Sequence, residues 1–415
     1  MIAEILATGD EIRSGALVDS NSAYIAHILE EAGIEVVRHS CVGDDPASIV
    51  SILREIAGRS DVAVVTGGLG PTDDDLTTAA AARAAGVDVI LDPLALDSVE
   101  AFFEARQLPL TPSNKKQALL PTGAECLVNT VGTAPGFQLK IEGCEFFCLP
   151  GVPFEMRQML ADEVMPRLME LQGQASSIRL VRTLSTFGLA ESATAEKLNR
   201  FEERFGQLKL GFRAKFPEIH VKLYGSGTDE NQLQSQLEKA EHWVVQQLGT
   251  VVFSNTGESL EEAVGNLLRT RQATLAVAES CTGGLIADRL TDVPGSSDYF
   301  MLSAVTYANQ AKSNILGVAS GIMDRHGAVS DETASEMARG VQRISGATYG
   351  LATSGIAGPG GAADGKPVGT VCIGLAGPDS VSTRRYHFRF NNRRMNKRIF
   401  GATALELLRR ELLAT

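Results

Sequence analysis

The side chains best suited to chemistry in this chain of 415 residues gather in a few short, glycine-bordered stretches. The densest is AESCTGG, residues 278–284, which follows an apolar run at 274–277 and precedes a helical pattern at 285–290. Strand, tight turn and helix are therefore expected. The turn carries two nucleophiles, Ser280 and Cys281, a further hydroxyl at Thr282, and Gly283 and Gly284. Glycines let the backbone approach a ligand, and a helix N-terminus presents N–H groups that favour anions. Acyl chemistry fits such a turn, with the N–H groups around 282–284 holding an oxyanion. The competing reading is structural: Ser280 or Thr282 as an ordinary N-cap. Cys281 rivals Ser280 as nucleophile wherever its thiol ionises.

A serine nucleophile needs a base, and no histidine falls in these loops; His326 precedes Gly327 in a turn and His387 sits in a strand pattern. Lys312 follows the strand end at Tyr307 in an otherwise uncharged stretch. Burial would lower its pKa enough to let it take a proton. A solvated helix lysine is the ordinary alternative. A second glycine loop, SGIAGPGG at 354–361, opens from the strand pattern 349–353.

Toward the N-terminus, TGDE (8–11) and TGGLGPTDDDLT (66–77) each follow an apolar strand pattern. The glycines of the longer motif open a backbone nest suited to phosphate. Asp73, Asp74 and Asp75 would repel that phosphate unless a divalent cation lay between them. Glycine nest and carboxylates together point to a metal-bridged phosphate or pyrophosphate site; a turn whose aspartates cap the next helix is the structural alternative. Two further loops, 129–137 and 149–153, hold no strong acid or base, and the second reads as a turn feeding a helix over 154–171.

These loops need strands and helices to hold them. Strand patterns at 3–7, 35–42 and 61–65 alternate with helical patterns at 21–32 and 47–57, which predicts a three-layer α/β domain with a mainly parallel sheet. Its ligands belong at the carboxyl ends of the strands. The small polar stretch 173–177 reads as a boundary. Beyond it, a β-α-β-β-α-β order to about residue 255 predicts a small α+β module. That module has neither a GXXG clamp nor a basic-aromatic RNA face, so a structural or dimerising role is expected. A last α/β domain follows from 257, with helical patterns at 258–269, 330–340 and 395–413 and strands at 301–307, 349–353, 369–375 and 384–390. The Ser330-Asp331-Glu332-Thr333 start is a strong helix N-terminus.

Composition limits the functions available. The formal net charge of −12 argues against broad binding to nucleic acid or anionic membrane. No apolar run reaches the length of a membrane span, and the opening residues lack the cationic start of a signal peptide. The six cysteines are scattered without zinc-ligand spacing, so core positions in a reducing cytoplasm are expected.

TGDE, TGGLGPTDDDLT and LPGVPFEM resemble the CinA (competence/damage-inducible) family, whose N-terminal domain is similar to molybdopterin-binding proteins. AESCTGG, GSS (295–297), TYANQAK (306–312), VSDETASEMA (329–338) and SGIAGPGG resemble the family's C-terminal domain, the PncC-type nicotinamide mononucleotide (NMN) deamidase. The resemblance implies three domains: a molybdopterin-binding-like domain at 1–172, a KH-like module at 175–255 and a deamidase domain at 257–415. It implies hydrolysis of NMN to nicotinate mononucleotide and ammonia, without a cofactor, by Ser280 and Lys312. Ser297, Tyr307, Thr353, Ser354 and Gly355 would line that site, with Tyr307 close to the chemistry. It further implies metal-dependent cleavage of ADP-ribose to AMP and ribose 5-phosphate, using Mg, Mn or Co. Asp74, Asp75 and Thr77 would belong to that site, with Asp10, Glu11 and Asp44 nearby and Gly67, Gly68 and Thr72 around the phosphates. A non-catalytic pterin-binding or dimerising first domain is the competing inference, and a homodimer without direct nucleic-acid contact is expected. A basic residue near the last helix is also a family feature, often in a G-D/N-R motif. Here Asn391 stands at the glycine position, leaving Arg393 or Arg394 for a substrate phosphate, with Arg393 preferred.

Overall fold

The computed structural model describes residues 1–173, 178–363 and 365–414; residues 174–177 of the expected boundary lie outside them. The chain divides into two compact units, Met1–Leu180 with Ser226–Glu230, and Val181–Gly225 with Asn231–Thr415.

The first unit is built on strands β1 (Ile2–Thr8), β2 (Glu35–Val42), β3 (Val62–Thr66), β4 (Val89–Leu91), β5 (Leu119–Pro121), β6 (Glu125–Leu127), β7 (Gly136–Ile141) and β8 (Cys144–Leu149). Its main sheet runs β2-β1-β3-β8-β7-β6, parallel from β2 to β8 and antiparallel beyond; β4 and β5 form a separate pair. All five residues of β3 are buried, as a strand covered on both faces requires. Leu6, Ala63, Val65 and Phe146 pack on one side with helix Pro46–Ala57, while Ile5, Val64, Phe147 and Leu149 pack on the other with helix Ser20–Glu31. From β1 the chain moves outward to β2, then returns past β1 to β3. The carboxyl ends of β1 and β3 thus flank a topological switch point, where open α/β sheets bind ligands. The expected helix over 154–171 is interrupted: Pro153–Met159 and Met165–Gln172 are α-helical around a π turn at Leu160–Val164.

In the next segment, β9 (Ile178–Phe187), β10 (Leu208–Lys215), β11 (Glu218–Gly227) and β12 (Val252–Ser254) form a sheet in the order β10-β11-β9-β12. Helix Glu230–Leu248 buries Leu233, Leu237, Ala240, Val244 and Leu248, the stripe its periodicity predicts.

The last sheet comprises β13 (Leu275–Glu279), β14 (Phe300–Val305), β15 (Tyr349–Gly355), β16 (Thr370–Ala376) and β17 (Val381–His387), in the order β14-β13-β15-β16-β17. The first three are parallel and the last two antiparallel. The final strand sits a few residues earlier than its pattern implied, leaving Phe388 and Phe390 outside it. Helix Asp331–Ser345, capped by the Ser330 hydroxyl accepting from Thr333 N–H at 3.1 Å, lies on this sheet. It approaches closely because Gly350 and Gly374 present no side chain there; a Cβ on either would collide with the helix carbonyls of Ala338 and Ala334.

Gly374→Ala should therefore destabilise the protein by about 1–3 kcal/mol, since helix backbone cannot step aside. Gly321→Ala, in a helix with open space around it, should be neutral or stabilising. Urea denaturation of both variants checks this.

Candidate functional site

In the second unit, the turn after β13 meets the ends of its two neighbours in a cleft of about 260 Å³. Ser280, Cys281, Tyr307, Lys312, Ser354, Gly355 and Arg393 all line it. Ser280 is 9% exposed, and its own N–H is spent on Thr353 O at 3.0 Å.

Lys312 dominates the chemistry. It is 1% exposed, and its Nζ donates to Thr306 O at 3.0 Å and Tyr307 O at 3.2 Å. Burial holds its pKa below the ordinary 10.5. A neutral amine has two N–H groups and one lone pair. With both hydrogens directed at carbonyls, the lone pair remains free to accept a proton. The solvated-lysine alternative is thus excluded. Cys281 is buried as well, which pushes its thiol up to about 12 and leaves it protonated near neutrality. Of the two nucleophiles that share the cleft with Lys312, Ser280 is the one that need not ionise ahead of its attack.

Neither Ser280 nor Thr282 caps the following helix, Leu285–Thr291. The buried carboxylate of Glu279 does so, accepting from the N–H groups of Gly284 (2.9 Å), Ile286 (3.2 Å) and Ala287 (2.9 Å). The helix terminus expected to cradle a substrate anion is filled by the chain's own anion. Gly284 is consequently no oxyanion donor, and the backbone donors beside Ser280 are Cys281, Thr282 and Gly283. Thr282 and Thr353 bond to each other at 2.8 Å through buried hydroxyls, tying β13 to β15 instead of lining the cleft. Gly283 and Gly284 supply left-handed backbone, with φ of 61° and 93°.

Ser297 is a correction. It lies in the turn Ser296–Asp298 ahead of β14, where Tyr299 O accepts from Leu275 N, at the amino edge of the sheet and opposite the cleft. Ser354 lines the cleft, but its hydroxyl donates to Ala328 O at 2.6 Å and pins the facing loop. Arg393 opens the last helix, Arg393–Ala414, and donates to Gly358 O and to Tyr307 Oη, both at 2.7 Å. Arg393, not Arg394, is the arginine at the cleft. Because Tyr307 accepts from Arg393, its own O–H proton remains available to a ligand.

In the first unit, a cleft of about 380 Å³ opens beyond β1, β3 and β8. Gly67, Gly68, Glu11, Asp44, Asp74 and Asp75 border it. Gly67 and Gly68 have φ of 110° and 67°, so the nest geometry is present. Thr77 does not face the cleft. Fully buried, it donates to Gly67 O at 2.8 Å and lies 3.2 Å from the Thr8 hydroxyl, stapling the glycine turn to β1. Thr72 is a positioning residue too: its N–H and hydroxyl both donate to Asp75 Oδ2. None of Asp73, Asp74 and Asp75 caps helix Thr77–Ala85, whose N-cap is Leu76 with no side-chain bond. Hydrogen bonding from Thr72 and its own backbone, with the Lys116 charge, holds the Asp74 carboxyl below the ordinary range. Asp10 turns away: its carboxylate pairs with Arg13 at 2.9 Å, and its N–H donates to Asp44 at 2.9 Å.

Among the described residues, no three carboxylate, thiol or imidazole groups come close enough to cage a metal ion. Carboxylates spread around one cleft suit an ion that keeps its waters and takes ligands from both protein and substrate phosphate, as Mg²⁺ does. Asp74 and Asp75, adjacent in sequence, are the pair that would hold it, with Glu11 and Asp44 elsewhere on the same cleft border. Asp19 and Glu155 border this cleft as well; Glu155 was not expected, and the acid two residues beyond Pro153 in LPGVPFEM is its sequence signal.

Two clefts at strand carboxyl ends, each bordered by a glycine turn, mark the candidate sites of a multidomain α/β protein. Family models match in the same order: a probable molybdopterin binding domain over 4–170, the damage-inducible protein CinA KH domain over 181–254 and the CinA C-terminal domain over 257–412. The chain belongs to the CinA family. It is 56% identical to a CinA-like protein of Desulfosudis oleivorans across the full length of both chains. A CinA-like protein of Desulforapulum autotrophicum is 48% identical over 99% of this chain and 98% of its own. A solved CinA structure of unknown function from Thermoplasma acidophilum is 35% identical, covering 41% of this chain and 99% of its own, at a TM-score of 0.38. No described helix is long and apolar enough to cross a membrane.

The buried amine has a thermodynamic signature. A lysine whose folded pKa lies below its unfolded value binds fewer protons folded than unfolded between the two, so its contribution to stability falls as pH drops through that window. Lys312→Met removes the effect. Relative to wild type it should gain up to about 1.4 kcal/mol per pH unit descended through the window. Urea denaturation at about pH 9.5 and about pH 7 checks the sign.

Proposed function

We propose that the second unit hydrolyses the carboxamide of NMN through Ser280 and Lys312. The observation that carries the reading is Lys312: buried, held by two backbone carbonyls and bordering the same cleft as the serine. Ser280 Oγ attacks the amide carbon while Lys312 Nζ accepts the hydroxyl proton. Cys281, Thr282 and Gly283 offer N–H groups to the developing oxyanion. As the C–N bond breaks, the proton passes from Lys312 to the departing nitrogen, and ammonia leaves. Water then attacks the acyl-serine, gives its proton to Lys312, and releases nicotinate mononucleotide with the proton returned to Ser280. Arg393, whose fork has donors beyond its two protein bonds, suits the substrate phosphate, with the Tyr307 hydroxyl beside it.

For the first unit we propose metal-dependent hydrolysis of the pyrophosphate of ADP-ribose, giving AMP and ribose 5-phosphate. This reading is supported by the glycine turn and the carboxylates bordering one cleft, Asp74 and Asp75 among them. A divalent ion held by Asp74 and Asp75 would neutralise phosphate charge and lower the pKa of bound water. Gly67 and Gly68 bring backbone against the phosphates, and Thr72 and Thr77 keep Asp75 and the glycine turn in place.

With a chelator present, wild type should release ammonia from NMN, and Ser280→Ala should lower the rate by at least about 10³-fold while staying folded. Cys281→Ser should keep most of the activity. The rate should climb with pH along a limb set by Lys312 deprotonation, below pH 10.5. Absence of release by wild type would overturn the deamidase reading.

AMP formation from ADP-ribose should need added Mg²⁺ or Mn²⁺, stop with chelator, and be lost in Asp74→Ala and Asp75→Ala. Nucleotide binding without turnover under every metal condition would replace hydrolysis with a binding role.

A further inference from the structure

Two loops of the first unit looked chemically blank in the sequence, residues 129–137 and 149–153. Folded, they meet around one carboxyl group. Glu155 stands in the first turn of helix Pro153–Met159, directly after the second loop, and borders the cleft that also holds Gly67, Asp74 and Asp75. The first loop grips it. Asn129 Nδ2 donates to Glu155 Oε2 at 2.7 Å and to Ala134 O at 2.9 Å. Asn129 Oδ1 accepts from Val131 N–H at 3.1 Å and Gly132 N–H at 2.8 Å. Because backbone N–H groups can only donate and the Ala134 carbonyl can only accept, these four bonds fix both the orientation of the amide and the shape of the loop. Gly132 lies so close to the carboxyl that any Cβ there would collide with it. One oxygen of Glu155 is thus tethered and one flank is sealed by glycine backbone; among the described residues the other oxygen has no hydrogen-bond partner, and the residue borders the cleft.

We infer that Glu155 is the general base of the first unit, accepting the proton of the water that attacks phosphorus. The inference rests on the hydrolase reading above. In the step, the water O–H bond breaks and its proton moves to the free oxygen of Glu155. The water oxygen forms a bond to phosphorus, the bridging P–O bond breaks, and its electron pair leaves with the departing phosphate monoester. The carboxyl is suited to the work: burial raises its pKa, against the hydrogen bond from Asn129, which lowers it. A base is most effective when its pKa approaches the working pH. The other titratable groups bordering the cleft are Glu11, Asp19, Asp44, Asp74 and Asp75. All are acids, and the divalent ion of the hydrolase reading would offset their charge.

The test uses the full chain with ADP-ribose and Mg²⁺, comparing wild type, Glu155→Gln and Glu155→Asp. Glutamine keeps an acceptor for Asn129, and a melting curve reports whether each variant is folded. For Glu155→Gln we expect kcat to fall about 10²–10⁴-fold, the acid limb of the pH–rate profile to disappear, and the Kd for AMP to change less than about threefold. Glu155→Asp should recover part of the rate and restore a limb. A folded Glu155→Gln within about threefold of wild-type kcat, or one slowed with its acid limb intact, would overturn the inference while leaving the hydrolase reading standing. A wild type inert toward ADP-ribose with metal would overturn that reading and this role together.

Discussion

An amine removed from water without a countercharge governs the second unit. Lys312 is buried and donates to two backbone carbonyls, and the acid of the adjoining turn, Glu279, points its carboxylate at three helix N–H groups instead. Were Glu279 to pair with Lys312, the lysine would hold its proton and offer no lone pair. The Glu279 cap therefore does two things at once. It satisfies a buried helix terminus that would otherwise need a ligand, and it keeps negative charge away from the amine. The raised Cys281 thiol follows from the same dry surroundings, which suppress ionisation of every group within them, acid or base.

The first unit handles charge in the opposite manner. Its carboxylates border an open cleft and stay apart, each with its own hydrogen-bonding arrangement: Asp75 with Thr72, Asp44 with the Asp10 backbone, Glu155 with Asn129. Such a spread favours a cation shared with an incoming polyanion over one caged by protein alone. The two units nevertheless share a topological device. In each, neighbouring parallel strands leave in opposite directions from a central strand, β1 between β2 and β3, and β13 between β14 and β15. The glycine turns sit where the connections part, the one place on such a sheet where no crossover covers the strand ends.

Much of this was readable before folding, for reasons that can be named. Strands β1, β2 and β13, the helix at 331 and the two glycine turns announce themselves through strand patterns that end in glycine or through a capping serine. Lys312 stood out as a lone cation in a neutral stretch, and the structure buries it. What stayed hidden depends on contacts distant in sequence. Thr77 and Thr72 look like ligand-binding residues within a motif, yet they serve as staples, because their partners Gly67 and Asp75 are set by the turn geometry. Glu279 was visible beside Ser280, but its capping role depends on the turn folding back over it. Glu155 required two loops to converge. Ser297 misled because its motif neighbours the site in sequence while the length of β14 carries it to the other edge of the sheet.

The seating of helix Asp331–Ser345 on Gly350 and Gly374 bears on how this domain tolerates change. Residues at a cleft can vary and take function with them while the fold survives. At these two glycines, every side chain is excluded by immovable helix backbone. The loop that precedes the helix is also the one pinned by Ser354, so a helix lifted off the sheet would carry Ala328 away from the cleft wall. Mutational robustness is therefore lowest at positions that bear no functional group at all, and a drifting sequence would meet its firmest barrier in the sheet, beneath the chemistry.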